Sequence, residues 1–390
     1  MLIGPRACGK TTTALRHANT VLRLDQPGVR GAVASDPDAV LRDGEHPILV
    51  DEWQLEPSAL SAAKRLIDTN DASGQFIFTG SAADEVSGMS WPGTGRFIRV
   101  PMWGLTQREL QGSQQDGTFF DLVADSEFDG TFGLSHHRPD TGGYLELALM
   151  SGFAQCLKRS TDRSRTAWLN SYIDHLVGRD VELVGAVREP LQFRRYLNAV
   201  AANTAGSPNT AKLIRSVGLN RETASRYDMF LSRLFVAEQV PAWSSNRLTR
   251  VSGRAKRYIC DPAVAAALVG ADRRTILRDA DLLGRVIDTF VAAQLRPELG
   301  LGHQPVNMFH LRQDGRREVD LILERRDSAV IAIEVKAAVS VDVTDARHLL
   351  WLRDQLPEPE YKAGIVFYTG AHVVQLSAKT WAVPICALWA

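Results

Sequence analysis

The sequence predicts an α/β protein with a helical middle, and three observations carry that reading. A glycine-containing loop running into a helix opens the chain at residues 4–11 (GPRACGKT). Short apolar runs that close on polar residues follow at 46–52 (HPILVDE) and 75–81 (QFIFTGS), the mark of buried parallel strands. Two further strand patterns, REVDLILE at 317–324 and VIAIEVK at 330–336, come after a long stretch of helical periodicity. At 390 residues the chain is long enough for two or three domains. We expect them at 1–135, 143–270 and 271–390.

Composition narrows the class. The chain is 45% hydrophobic and 23% charged, as in ordinary globular proteins. Lys+Arg and Asp+Glu both number 45, so contact with nucleic acid requires a local basic patch. Cys8, Cys156, Cys260 and Cys386 are scattered without metal-ligand spacing, which argues against a disulfide framework and for a reducing cytoplasm. No apolar run approaches ~18 residues, so no membrane span is expected. Gly, Pro, Arg and Lys within the first ten residues exclude a signal-peptide pattern.

The opening loop meets the pattern G-x-x-x-x-G-K-[ST]. In that pattern the backbone N–H groups of Gly4, Arg6, Ala7, Cys8 and Gly9 curl around phosphate oxygens, Pro5 shapes the turn without donating, and Thr12 continues the contact into the helix. Lys10 reaches the β- and γ-phosphates of ATP, and the Thr11 hydroxyl completes a Mg²⁺ shell. Asp51 and Glu52 stand at the carboxyl end of the second strand, where α/β sheets bind ligands. Asp51 is the expected Mg²⁺ partner of Thr11, and Glu52 the expected base for the attacking water. Thr79 or Ser81, at the end of the third strand, would sense the γ-phosphate. Arg96 or Arg99 would stabilise developing phosphate charge. Only Met1, Leu2 and Ile3 precede Gly4, whereas a strand usually takes ~5 residues. The first strand is therefore expected to be clipped, with the true start upstream or the base contacts supplied from elsewhere.

Residues 111–142, rich in Gly, Asp, Ser and Gln, read as an irregular connection closing the first domain. The pair His136 and His137 there reads as solvated rather than metal-binding. Apolar residues at i, i+3, i+4 spacing then mark helices from Tyr144 onward. Residues 209–227 read as helix, glycine turn, and a second helix capped by Asn220: a helix-turn-helix. The stretch RLTRVSGRAKR at 247–257 holds Arg247, Arg250, Arg254, Lys256 and Arg257 and no acid, as a wing hairpin would. With Arg215, Arg221 and Arg226 it forms the candidate phosphate-contacting surface of a winged helix. Winged helices also dock proteins, so the partner expected here is DNA or a protein.

In the last third, Asp320 lies in one strand and Glu334 and Lys336 in the next, the latter two on one face by alternation. An Asp followed by Glu-x-Lys on a hairpin partner is the arrangement of PD-(D/E)xK nucleases, in which acids hold Mg²⁺ and the lysine orients water. Asp288, on a preceding helix, supplies a third acid. The alternative is a hairpin whose degenerate site serves as a binding surface.

Taken in order, GPRACGKTT, ILVDEWQ, FIFTGSA, GRF, the helix from Tyr172 ending Arg-Asp-Val, the helix-turn-helix, KRYICDP, REVDLIL and IAIEVKA resemble the AAA-type ATP-binding proteins that carry a DUF4143 C-terminal region. The resemblance implies an additional-strand P-loop ATPase domain, then a winged helix, then a restriction-endonuclease-like domain. It matches Lys10, Thr11, Asp51 and Glu52 to ATPase positions, and Asp320, Glu334 and Lys336 to nuclease-like ones. The family's helix acid is more often Glu than Asp. The expectation is a cytoplasmic Mg²⁺-dependent ATPase coupled to a nuclease-like, DNA-associated module. The alternatives are an ATP-binding regulatory protein without turnover, or an ATP-gated nuclease. AAA-type sites are often completed between subunits, so oligomerisation, with Arg96 as a trans-acting finger, belongs to the expectation.

Overall fold

The computed structural model describes residues 1–70, 72–80, 95–112, 117–125, 128–134, 137–180, 189–246, 250, 253–313 and 317–390. Ser81, Arg247 and His136 lie outside them. β1 (Leu2–Ile3), β2 (Thr20–Arg23), β3 (Ile48–Asp51), β4 (Phe76–Thr79) and β5 (Val100–Pro101) form one sheet in the order β2-β3-β4-β1-β5. Every pairing in it is parallel. β3 is buried at all four positions, as a continuous apolar run requires in a covered sheet. Around it stand α1 (Lys10–Ala14), α2 (Pro27–Ser35), α3 (Pro37–Asp43) and α4 (Ser58–Thr69). β4 is inserted between β1 and β3, so the loop after β1 and the acids after β3 stand two strand spacings, roughly 10 Å, apart at one sheet edge. Gly4 has φ 150°, and a Cβ there would lie 2.0 Å from the Met102 carbonyl oxygen, so only glycine lets the strand enter the loop.

Beyond β5 come α5 (Gln107–Gln111) and α6 (Phe119–Ala124), each opened by a capping box, Thr106 with Glu109 and Thr118 with Asp121. The stretch expected to be an irregular connection thus carries a buried helix. Phe119 packs on Phe367 with centroids 5.3 Å apart, and Phe128 on Trp381 at 5.4 Å. Its aromatics belong to the core beneath the C-terminal sheet.

The middle is helical: α7 (Thr141–Leu149), α8 (Ala154–Leu157), α9 (Asp162–His175), α10 (Pro190–Ala202), α11 (Thr210–Ser216) and α12 (Arg221–Arg233). Gly218, at φ 69°, makes the turn between α11 and α12, and the Asn220 side chain accepts the Thr223 N–H at 2.7 Å to cap α12. An antiparallel pair, β6 (Ala237–Val240) and β7 (Lys256–Ile259), follows, then α13 (Pro262–Leu268).

After α14 (Arg273–Arg278) and the long α15 (Ala280–Leu295) comes a mixed sheet of β8 (Val306–Gln313), β9 (Arg317–Arg325), β10 (Val330–Lys336), β11 (Tyr361–Tyr368), β12 (Val374–Ser377) and β13 (Thr380–Pro384). Its order is β12-β13-β11-β10-β9-β8, with α16 (Arg347–Gln355) crossing between the parallel β10 and β11. Leu321, Leu323, Ile331 and Ile333 face the α15 side, while Val319, Ile322, Val330 and Ala332 face α16. One irregularity interrupts this alternation. Phe309 pairs with Ile322 and Leu311 with Val319, so His310 alone stands opposite both Asp320 and Leu321. Such a bulge re-aims a side chain, and here it turns Asp320 toward α15.

Candidate functional site

The loop at 4–11 folds as a concave nest. Ala7 and Gly9 take left-handed φ of 64° and 106°, between residues that do not, which turns successive N–H groups inward. Lys10 is buried, and its ammonium donates to the carbonyls of Gly4 at 3.0 Å and Pro5 at 2.8 Å. Burial pulls its pKa down, opposed by the charges of Cys8 and Glu52. Thr11 Oγ1 donates to Asp51 Oδ1 at 2.8 Å, and Thr79 Oγ1 donates to the same oxygen at 2.5 Å. Two hydroxyls and a carboxylate thus meet beside a lysine at one end of a parallel sheet. That donor set suits a Mg²⁺–triphosphate: hard oxygen ligands, a lysine for phosphate charge and a nest of N–H groups.

Glu52 follows Asp51 in a left-handed conformation, φ 56°, which swings its carboxylate out of line with the strand. Gln54 Nε2 donates to Glu52 Oε2. Cys8, two residues before Lys10, is buried in the hydrophobic cluster of the helical middle, which also holds Phe153 and packs against Trp103. The loop is therefore packed against the neighbouring region as well as against its own sheet.

A second constellation sits where β7, α15, β9 and β10 meet. Asp288 Oδ2 and Asp320 Oδ1 lie 2.7 and 2.8 Å from a common partner, the Nζ of Lys256 on β7. Tyr258 donates its hydroxyl to Asp288 Oδ1 at 2.9 Å, and the Val335 N–H donates to Asp320 Oδ2 at 3.0 Å. Lys336 Nζ lies 2.9 Å from Glu334 Oε1, while Glu334 Oε2 is buried without a hydrogen-bond partner among the described residues. Burial and the Asp320 charge raise the Glu334 carboxyl to about 8, and burial raises Asp288 to about 6 against the pull of Lys256. Burial would depress Lys256, but the two carboxylates prevail and hold it well above the usual lysine range. A cleft of about 910 Å³ opens beside Asp288, Asp320, Glu334 and Lys336, with Arg254 and Arg312 on its walls.

Residues 1–111 match the AAA domain family model, and residues 283–388 match DUF4143, a domain of unknown function. The chain is an AAA-domain protein with a DUF4143 C-terminal region. Between the two, residues 142–275 match a further domain of unknown function, DUF8612. Two uncharacterized mycobacterial proteins are similar along the whole chain: Mb2031c of Mycobacterium bovis and Rv2008c of Mycobacterium tuberculosis. Each is 25% identical over 390 residues, 98% of this chain and 79% of the relative. No solved structure matches the chain. No described helix is long and apolar enough to cross a membrane.

Within the AAA domain, the structure gathers Gly4, Lys10, Thr11, Asp51, Glu52 and Thr79 at one edge. It does not bring Arg96 there. Arg96 Nε pairs with Asp68 at 2.9 Å, near the end of α4, and α4 runs back from the carboxyl end of β3 to the start of β4. Arg96 is thereby tied to the sheet edge opposite the loop, because a helix returning between parallel strands ends at their amino side.

In the DUF8612 region, Arg215, Arg221 and Arg226 are exposed on α11 and α12. The basic run expected as a wing is differently disposed. Lys256 and Arg257 lie inside β7 and are buried, and Arg250 pairs with Glu324 while stacking over Trp243 at 5.3 Å. Of the run's described basic residues, Arg254 is exposed. A run without acids reads as a solvated patch, but its acids are supplied by distant segments. In the DUF4143 region, Asp288, Asp320, Glu334 and Lys336 do come together. Lys256 and Tyr258 are the members that sequence reasoning missed. The available signal was a lysine and a tyrosine at alternate positions of the short strand KRYI.

Proposed function

We propose that the protein is an ATP-binding, Mg²⁺-dependent ATPase whose nucleotide state is transmitted to the DUF8612 and DUF4143 regions, acting on or near nucleic acid. The observation that carries this reading is the meeting of Thr11, Thr79 and Asp51 on one carboxylate oxygen beside buried Lys10. Bound Mg²⁺-ATP supplies the scissile phosphoanhydride and the neutralising cation. Lys10 exchanges the Gly4 and Pro5 carbonyls for phosphate oxygens, an exchange favoured because an ammonium pairs more strongly with an anionic oxygen than with a neutral carbonyl. Thr11 and Asp51 orient oxygen ligands, and Glu52, once released by Gln54, accepts a proton from water. Cys8 links the loop to the core of the DUF8612 region, so a phosphate-induced shift of the loop is felt there. The exposed Arg215, Arg221 and Arg226 offer that region a phosphate-facing surface.

A second reading rests on the Gln54–Glu52 contact. If Gln54 keeps Glu52 turned away with ATP bound, the protein is a nucleotide-dependent regulator without turnover. Hydrolysis by the full chain, with Lys10→Ala as control and with or without duplex DNA, tests the proposal. Lys10-dependent turnover supports it, and stimulation by DNA supports the coupling. Tight ATP binding with no turnover above the control selects the regulator.

A further inference from the structure

PD-(D/E)xK-like centres are built to hold a divalent cation between their acids, and the residues present here do not fit one. The position between Asp288 and Asp320 is taken by the chain's own cation. Lys256 is 1% exposed, and its ammonium is 2.7 Å from Asp288, 2.8 Å from Asp320 Oδ1 and 3.3 Å from the Asp320 carbonyl oxygen. Its three N–H donors are therefore all engaged. A Mg²⁺ ion binds oxygen at about 2.0–2.1 Å, so an ammonium holds the two carboxylates farther apart than a metal does. Among the described residues, no three His, Cys, Asp or Glu side chains are grouped to share a metal ion. Adding a dication to the same space would set it against a buried ammonium.

The geometry also shows how Lys256 is held in place. β7 carries it and pairs with β6, and the segment after β6 docks on the edge of the C-terminal sheet. The Trp243 N–H donates to the His310 carbonyl at 2.6 Å, and the His310 N–H donates to the Pro241 carbonyl at 3.1 Å. His310 is the residue opposite the bulge that turns Asp320 toward α15. Its Nε2 donates to the Arg254 carbonyl at 2.8 Å, two residues from Lys256. The lysine that fills the centre and the bulge that aims its carboxylate are thus fastened to each other.

We propose that Lys256 stands in the divalent-cation position of the Asp288–Asp320 centre, making it a metal-free ion-pair latch between the DUF8612 and DUF4143 regions. It follows that the centre does not perform metal-dependent phosphodiester cleavage while β7 is docked. This inference is independent of turnover at the AAA domain.

The test is Mn²⁺ binding to the nucleotide-free full chain, followed by electron paramagnetic resonance, with Asp320→Asn as the comparison. Wild type and Asp320→Asn are expected to bind the same number of ions. An ion bound by wild type and lost in Asp320→Asn overturns the proposal, and this comparison does not depend on any Lys256 variant folding. Lys256→Ala is expected to gain one ion, and Lys256→Ala with Asp320→Asn to lose it again. A folded Lys256→Ala protein that gains no Asp320-dependent ion also overturns it, because the carboxylates would then not form a cation position.

Discussion

Arg257 donates Nη1 and Nη2 to the two carboxylate oxygens of Asp228, at 2.9 and 2.7 Å. The pair fastens α12, the second helix of the helix-turn-helix, to β7, and the Tyr196 hydroxyl joins it by donating to Asp228 at 2.6 Å. Removing one partner from a largely buried pair leaves a charge without compensation, at a cost of about 3 kcal/mol. Arg257→Ala should therefore lower stability by about that much in urea unfolding, whereas Arg226→Ala should change it by less than about 0.5 kcal/mol. On the proposed function, in which Arg226 faces nucleic-acid phosphate, the same Arg226→Ala variant should weaken DNA binding and reduce its salt dependence by about one phosphate contact. Equal stability losses in the two variants would count against the assignment of buried and exposed arginines.

Glu52 and Lys10 should fail in different ways. Glu52→Gln should keep ATP affinity while lowering turnover by roughly 10²–10⁴-fold, the usual contribution of a general base. Lys10→Ala should weaken ATP binding itself, as read by titration with a fluorescent nucleotide. Retained affinity in Lys10→Ala would remove the lysine from phosphate binding.

Thr79 and Thr11 both donate to Asp51 Oδ1. Thr79→Val removes one hydrogen bond to a charged group, worth about 1.5–3 kcal/mol where it is fully needed. Turnover should fall about tenfold or more, with a matching rise in the Mg²⁺ concentration needed for half-maximal rate. A Mg²⁺ dependence identical to wild type would detach Thr79 from the metal position.

Glu334 gives a pH signature. Burial and the Asp320 charge raise its carboxyl to about 8, whereas an unfolded Glu titrates near 4.3. Between those values the native state binds a proton that the unfolded chain has released. Stability from this group is accordingly full at low pH and is lost as pH rises toward about 8. Asp288, raised to about 6, acts with the same sign over a lower window. Comparing urea unfolding at about pH 6.5 and about pH 8 isolates Glu334. Glu334→Gln should flatten the decline across that interval, and an unchanged slope would assign it to another group.

Features that depend on neighbours along the chain were legible before folding. The loop, Lys10, Thr11 and Asp51 were readable because the phosphate motif and the acid at the end of β3 are set by spacing. The cap at Asn220 and the turn at Gly218 were readable for the same reason. Phe119 and Phe120 were partly hidden, because an apolar pair in a polar stretch says nothing about which distant sheet it will cover. Asp320 was found, but simple alternation cannot show that a bulge opposite His310 re-aims it.

By itself, the sequence determined the order of the parts: a glycine-containing loop feeding a parallel sheet, two helices joined by a glycine turn, and a pair of strands bearing Asp320, Glu334 and Lys336. Each follows from short-range periodicity and spacing. Only the tertiary structure decided which charges meet. Lys256 is 32 residues from Asp288 and 64 from Asp320 in the chain, and it sits in a basic run that reads as solvent-facing. Its partner is chosen by docking of β6 and β7 on another sheet and by burial, which makes an uncompensated charge untenable and so forces ammonium and carboxylates together.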